Sequence, residues 1–404
     1  MATTHIWQEE ASITENLIAL SVTIETPAGT RKKLWYRTSL EYASLISKNL
    51  DHFVVGYILD GMSQGNDLMI HGEVSPSLLQ NLTELQIIWN SWRPQKYHLV
   101  EMSAEVEKEA IKAEGDRVIS SFSGGIDSCY TAWRHHRGNT GRIRRNLTSA
   151  IMVHGLDIPL EQGDIFQRAL AKGHKILESL EMPLIPSETN YRYVITTDWD
   201  DVYGAAIASC LMFFQGGFTG GLVASGSSPY QKLLLPIGSN PLTDQLFRNQ
   251  AFYIFHDGAG ANRLQKIEGI AHWQEALENL RVCWEGKQLD RNCGRCEKCI
   301  RTILGFRVLG LPLPPCFEQD VTDRQILGIK AISPAKFAEL ESILARAKAE
   351  HISESWVSSL EICIQRNRLR RHLHQWKESI KEQLPTSVVE KIVEIQSRWL
   401  MANK

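Results

Sequence analysis

The sequence predicts an α/β protein built on a doubly wound parallel sheet, and three features carry that expectation. Short apolar runs between residues 117 and 257 alternate with longer segments of helical spacing, the order that builds parallel strands joined by crossover helices. A glycine turn, Ser123-Gly124-Gly125-Ile126-Asp127-Ser128, separates the first of these runs from the first helix. Four cysteines, Cys283, Cys293, Cys296 and Cys299, follow the last run at the spacing of a metal knuckle. An N-terminal α+β domain (1–115) and a helical C-terminal region (333–404) flank this central domain (116–332).

In the N-terminal segment, Leu17–Thr26 alternates as a strand does, Pro27-Ala28-Gly29 turns the chain, and Lys33–Thr38 alternates again. Leu40–Leu50 has helical spacing. His52–Leu59 and Asp67–Val74 are expected to be strands, divided by the turn at 61–66. Ser75 followed by Pro76 has the form of a helix start, because proline at the first helical position gives up an N–H that has no helical partner. That helix is expected to reach Trp92. Tyr97–Met102 is expected to be a last strand, and the charged stretch Glu101–Glu114 a helical connector. Nothing here names a chemistry, and the segment is open between a scaffold or dimerisation role and one that shapes a substrate site.

In the central segment, Arg117–Phe122 is the first strand and Asp127–His136 the helix after it. Leu147–His154 reads as a second buried strand and Ile165–Leu180 as a helix. Met182–Ile185 is a short apolar stretch, Asp200–Phe214 a buried helix rich in small residues, and Gly221–Ser225 and Ala251–Phe255 are further strands. Ligands of such sheets bind outside the carboxyl ends of the strands. Ser123–Ser128, His154–Asp157, Thr189–Asn190, Ser225–Ser228 and His256–Gly258 are therefore expected to ring one crevice.

Within that ring, Gly124 and Gly125 can take positive φ and bring backbone N–H groups up to an oxyanion at the helix start. Ser123 and Ser128 add hydroxyl donors. Asp127 suits a helix N-terminus and also the magnesium of a nucleotide. The turn is not a Walker A loop, which requires a lysine that is missing here. His154 is read either as a lining of the adenine or ribose side or as a structural histidine bonded to backbone. Asn190 on the nucleotide side and Asp257 on the substrate side are open between ligand contact and simple turn closure. Ser239, Asn240 and Asp244, in the Pro- and Gly-rich loop Leu235–Asp244, either face a substrate or cap their own loop. Arg263 and Lys266, three apart on one helix face, serve a phosphate or form a solvated basic face.

Cys283, Cys293, Cys296 and Cys299 form a Cys-x9-Cys-x2-Cys-x2-Cys pattern that closes a tetrahedral zinc shell with no position left for water, so the metal would be structural. An iron–sulfur cluster and plain buried thiols are the other readings. Cys129, Cys210, Cys316 and Cys363 are scattered.

A formal charge of −2 over 404 residues argues against a strongly basic nucleic-acid binder. The first dozen residues show neither a basic nor an apolar leader region, and no apolar run approaches a membrane span, so a cytoplasmic protein without membrane contact is expected. A homo-oligomer is expected. The tail reads as helices over Ser333 onward, Ser353–Ile380 and Ser387–Trp399. Its basic run, Arg366–His372, is either an RNA contact or a solvated helix face.

The hexapeptide Ser123–Ser128 resembles the PP-loop of the N-type ATP pyrophosphatases. Joined to Cys-x9-Cys-Gly-x-Cys-x2-Cys-x-Arg, it resembles the 7-cyano-7-deazaguanine synthase family over about 117–310. The resemblance implies an adenine nucleotide alpha hydrolase-like core and ATP split into AMP and pyrophosphate. It implies a phosphate loop at Ser123, Gly124, Gly125, Ile126, Asp127 and Ser128, and structural Zn²⁺ on the four cysteines. Arg301 matches a basic residue just past the last ligand. Lys266 and Arg263 are then expected to act on the phosphates together with Mg²⁺. The implied reaction adenylates a substrate oxygen, a carboxylate first of all, for attack by ammonia or an amine to give an amide or nitrile. Two rivals remain: a PP-loop enzyme that modifies RNA or tRNA bases, and a non-catalytic nucleotide-sensing protein. The chain exceeds the family's stand-alone members in length, and Gly238–Asp244 and His256–Gly258 correspond to no deazaguanine contact.

Overall fold

Alternating runs and short, continuously buried runs form the sheet, and the segments between them supply its helices. The computed structural model describes residues 2–138, 140–226, 229–330 and 333–383. Eleven strands among them form one sheet. In chain order they are β1 (Thr3–Gln8), β2 (Ser12–Thr14), β3 (Leu17–Glu25), β4 (Arg31–Ser39), β5 (Asp67–Val74), β6 (Met102–Glu107), β7 (Arg117–Ser121), β8 (Asn146–His154), β9 (Leu184–Thr189), β10 (Gly220–Ala224) and β11 (Tyr253–Asp257). The order across the sheet is β11-β10-β7-β8-β9-β4-β3-β1-β5-β6, with β2 beside β3. β7 to β11 pair in parallel. β4 joins β9 antiparallel, β3 and β1 follow antiparallel, and β1-β5-β6 is parallel again.

The helices are α1 (Asp51–Gln64), α2 (Pro76–Trp92), α3 (Ile126–His136), α4 (Gly163–Glu178), the single turn α5 (Tyr191–Val194), α6 (Trp199–Met212), α7 (Arg263–Ile270), α8 (Gln274–Asn279), α9 (Glu297–Val308), α10 (Asp323–Gly328), α11 (Pro334–Ala349) and α12 (Ser355–Gln383). No helix among the described residues is long and apolar enough to cross a membrane. Ile119, Ile151, Ile185 and Ile254 share one apolar cluster with Phe53 of α1 and Leu211 of α6. Their strand neighbours face the opposite side, where a side chain at Gly173 of α4 would strike Leu184 and Met152. Helices therefore pack on both faces of the parallel strands.

The expected boundary near residue 115 does not separate two cores. The same cluster runs from Ile6 of β1 to Ile254 of β11, and Tyr36 of β4 donates its hydroxyl to Ser209 of α6 at 3.0 Å. The chain divides instead into a unit at Met1–Asp320 and a second at Val321–Lys404. In the second unit α11 and α12 bury Phe337, Leu340, Trp356 and Leu360.

Four local expectations are corrected. His52–Leu59 is not a strand but lies in α1, whose residues from Asp51 to Met62 are all buried. A helix covered on every side shows no 3.6-residue period, so its apolar run looks like a buried strand. Gly56 is required there, since a Cβ would lie 2.7 Å from the Tyr36 hydroxyl. Tyr97–Met102 is not a strand and Glu101–Glu114 is not a helix: the strand is β6, from Met102 to Glu107, on the sheet edge. Its glutamates favour helix locally, but pairing with β5 decides the outcome, and a charged edge resists further pairing. Leu40–Leu50 forms only a 3₁₀ turn over Leu40–Leu45. The expected helix at Ser387–Trp399 lies outside the described residues.

Candidate anion site and four-cysteine centre

The buried strand β7 ends at Ser121, and the chain turns through Gly124 at φ +73° into α3. Gly125 does not need its glycine freedom, with φ −86° and ψ 170° as the residue before the helix. No side chain caps α3, so the N–H groups of its first turn stay open to an anion. Ser128 Oγ donates to Gly125 O at 3.1 Å and accepts the Ser123 N–H at 3.3 Å, which fixes the turn.

Cations surround this turn. Asp127 accepts from Arg263 Nη1 at 3.0 Å and from Lys266 Nζ at 3.1 Å, both on α7. An Asn262–Gln265 capping box sets the start of that helix and hence the direction of both side chains. Lys266 is 1 % exposed and also donates to Ser225 O at 2.5 Å and Ser225 Oγ at 2.8 Å, at the end of β10. Burial pushes the Asp127 carboxyl up, but Lys266 and Arg263 outweigh it and hold the group well below the usual carboxylate range. Arg301 is buried on α9, bonded to Glu297 at 2.7 Å, and is pushed down to about 10 by burial and by Arg263. Lys298 is lowered by burial and then by the same arginine.

Arg281 fastens the turn from outside. Its N–H donates to Gly124 O at 2.7 Å and its Nε to Ser123 O at 3.0 Å, while Nη2 reaches Asp157 at 3.3 Å. Beside the turn opens a cavity of about 200 Å³, with Ser123, Asp127, Ser128 and Arg281 at its polar end and Leu156 and Trp199 among its apolar walls. The surroundings suit an anion with an apolar body. They do not suit a metal ion held by Asp127 itself, because cations take both oxygens of that carboxylate.

The remaining expected residues split away from the cavity. His154 is structural: its Nε2 donates to Pro159 O at 2.8 Å and its ring stacks on Phe166 at 4.5 Å. Asn190 ties the end of β9 to β4, through Trp35 N–H and Lys33 O. Asp257 is fully buried and clamps α3, accepting from Thr131 at 2.8 Å and from His135 Nε2 at 2.9 Å. The backbone N–H of Arg145 donates to His135 Nδ1, which leaves the ring proton on Nε2. Ser239 and Asn240 bond to Asp244 and to their own loop, the self-capping arrangement. Of Ser225–Ser228, the last two residues lie outside the described residues. Cys129 is buried, which pushes its thiol well up and away from reactivity.

Sequence reasoning missed Arg281 and Lys298 as part of the cationic surround. Arg281 stands 158 residues from Ser123 and carries no local signal. Lys298 sits between two knuckle cysteines, so the motif itself brought it near the turn.

Cys283, Cys293, Cys296 and Cys299 do converge, with sulfur atoms all within 4.8 Å of one another. Cys283 Sγ lies 3.8 Å from Cys296 Sγ, and Cys293 Sγ lies 3.9 Å from Cys299 Sγ. A tetrahedron with Zn–S near 2.3 Å has edges of about 3.8 Å, so the donor set fits such an ion. Backbone N–H groups of Cys296 and Cys299 point at the preceding sulfurs, at 3.2 and 3.4 Å, as thiolate ligands require. Comparison with protein-family models, with curated proteins and with solved structures finds no match for this chain.

Proposed function

We propose that this chain is an ATP-dependent, AMP- and pyrophosphate-forming enzyme of the PP-loop type, with a doubly wound core like that of the adenine nucleotide alpha hydrolases. One observation carries the reading: Lys266 and Arg263 meet Asp127 in the first turn of an uncapped helix, at the mouth of a half-apolar cavity. The strand order β11-β10-β7-β8-β9 supports it, since chain order reverses between β7 and β10, where open parallel sheets bind ligands.

In this reading the terminal phosphates rest on the N–H groups of Gly124–Ser128, and the adenine enters the apolar part of the cavity. A substrate oxygen, a carboxylate first of all, attacks the α-phosphorus in line. The bond to the bridging oxygen breaks and pyrophosphate leaves, its charge met by N–H donors, Lys266, Arg263 and Arg301. Ammonia or an amine then displaces AMP. Magnesium, when bound, is assigned to the oxygens of the nucleotide. Zinc is assigned to the four thiolates as a structural ion, with no part in the chemistry.

Product analysis tests the reading. The protein is incubated with Mg·ATP, ammonium and pooled small carboxylates or cell extract, beside Asp127→Ala and Lys266→Met. AMP plus pyrophosphate, lost in both variants, is the expected result. ADP plus phosphate overturns the mechanism. Tight nucleotide binding without turnover, alike in wild type and Asp127→Ala, replaces it with the sensing reading, and turnover only with a tRNA pool replaces it with base modification.

A further inference from the structure

β1 is the middle strand of the five at one end of the sheet, β4-β3-β1-β5-β6. One face of these strands is packed: Ile6, Val22, Leu34 and Ile70 share the core cluster with Phe53 of α1 and Leu78 of α2. Side chains alternate along a strand, so the neighbours Trp7, Thr23, Lys33 and His71 point to the other face. That face is open to solvent, with Trp7, Arg31, Lys33, Ser103 and Glu105 exposed. Its centre is aromatic. The Trp7 indole is 39 % exposed and lies flat on the His71 ring, with 3.5 Å between centroids and 5° between planes. His5 Nδ1 lies 2.9 Å from His71 Nε2, which braces the stack from behind. Tryptophan near the middle of a face is the residue type that anchors protein interfaces.

Charge divides on the two sides of this centre. β4 holds Arg31, Lys32, Lys33 and Arg37 and no acid. β5 and β6 hold Asp67, Glu73, Glu105 and Glu107 and neither lysine nor arginine. The register sets the halves in line. Lys33 is opposite Thr23, Thr23 opposite Trp7, and Trp7 opposite His71. His71 is level with Glu105, between the pairs Ile70–Ala104 and Glu73–Val106. Trp7 is thus the midpoint of a row that ends in a lysine two strands away on one side and a glutamate two strands away on the other.

The acidic half repels a nucleic acid or an anionic membrane. A second copy of the chain fits both halves. A two-fold axis along β1, between two such faces, turns the row end for end and lays β4 of each copy over β6 of the other. Lys33 then meets the partner's Glu105, symmetry repeats that pair, and the two Trp7 side chains meet at the axis. An axis across the strands would set β4 on β4, cation on cation. Five strands about 4.8 Å apart and about 25 Å long give roughly 600 Å² of face before side-chain relief is counted, near the ~800 Å² per partner of a standard interface. We propose that the open face of β4-β3-β1-β5-β6 is the contact of a two-fold homodimer, in which two sheets pack face to face about Trp7.

Sedimentation equilibrium of the full chain tests the proposal in wild type, Trp7→Asp, Lys33→Glu, Glu105→Lys and the combined Lys33→Glu/Glu105→Lys. Arg31 and Arg37 already meet Glu25 and Glu188 within the chain, so the charge exchange uses Lys33. Wild type is expected at twice the chain mass, and Trp7→Asp at the single mass. Each single charge change sets two like-charged pairs in the contact and is expected to weaken the dimer about tenfold or more. The combined variant restores both pairs with their signs exchanged and is expected within about threefold of wild type, a recovery that misfolding cannot produce. Wild type at the single-chain mass overturns the proposal, whatever else that face binds. A dimer that survives Trp7→Asp and both charge changes lies elsewhere and overturns it, as does a combined variant no tighter than the single ones.

Discussion

Replacing Lys266 with methionine tests whether a buried ammonium organises the anion site. The substitution keeps the length of the side chain and removes the charge. Asp127 keeps Arg263, but Ser225 O and Ser225 Oγ lose the donor that Lys266 supplies. Lys266 is 1 % and the Asp127 side chain 24 % exposed, so this is a mostly buried pair. Removing one partner of such a pair costs about 3 kcal/mol, a factor of roughly 10² in the folding equilibrium. Asp127→Asn is expected to destabilise as well, by leaving two cations uncompensated. The double variant Asp127→Asn/Lys266→Met is expected to fall short of the sum by about 1 kcal/mol or more, because each single change already breaks the shared contact. Urea melts at pH 7 measure all three, read as shifts in midpoint at constant slope. Lys266→Met within about 0.5 kcal/mol of wild type, or strict additivity in the cycle, refutes the argument that this ammonium holds the end of β10 to the start of α3.

His52 is fully buried among Tyr36, Phe53 and Phe213, and burial, opposed by the backbone of Asn49, pushes it down to about 3. Its folded value lies below the unfolded one, so its stability contribution is complete above about pH 6.5 and is lost as pH falls toward 3, at about 1.4 kcal/mol per pH unit; a histidine-to-phenylalanine change at this site is expected to remove that slope in stability measured against pH. Gly124→Ala places a Cβ at φ +73° in ordinary contact with Arg281 at 3.5 Å, so the expected penalty is backbone strain alone, about 1–2 kcal/mol, together with weaker ATP protection in thermal melts. Elemental analysis is expected to find one zinc per chain, lost in Cys296→Ser, and chelation is expected to lower the melting temperature of the wild type and leave that variant unchanged.

Much of the central sheet was legible because its strands are short buried runs bounded by glycine and polar turns, as at Arg117–Ser121 and Gly220–Ala224. The four-cysteine cluster was legible because its members are close in sequence and their spacing brings the sulfurs together. The N-terminal part was harder for two physical reasons. A helix buried on all sides, α1, carries no period, and an edge strand with three exposed acidic or polar side chains, β6, carries a helix-like composition. The ligand ring was read too widely: position after a strand places a residue at the sheet edge, but not the direction of its side chain. His154, Asn190 and Asp257 all stand at that edge and all spend their polar atoms on protein partners.

The cations of the anion site come from three places that follow most of the sheet: α7 gives Arg263 and Lys266, the segment before Cys283 gives Arg281, and α9 gives Lys298 and Arg301. Cys296 is the residue that caps α9, its sulfur accepting the Cys299 N–H, so the four-cysteine centre sets the start and direction of the helix that bears Lys298 and Arg301. Arg263 bonds Thr302 on the same helix at 3.3 Å, which couples α7 to it. A metal at the cysteines would thus govern anion affinity without touching the anion. If such a metal is removed, α9 loses the anchor of its first turn, and two of the five cations lose their aim before the sheet itself is disturbed. On that argument, chelation weakens binding of an anionic nucleotide at temperatures well below the lowered melting point, where the parallel sheet is still folded.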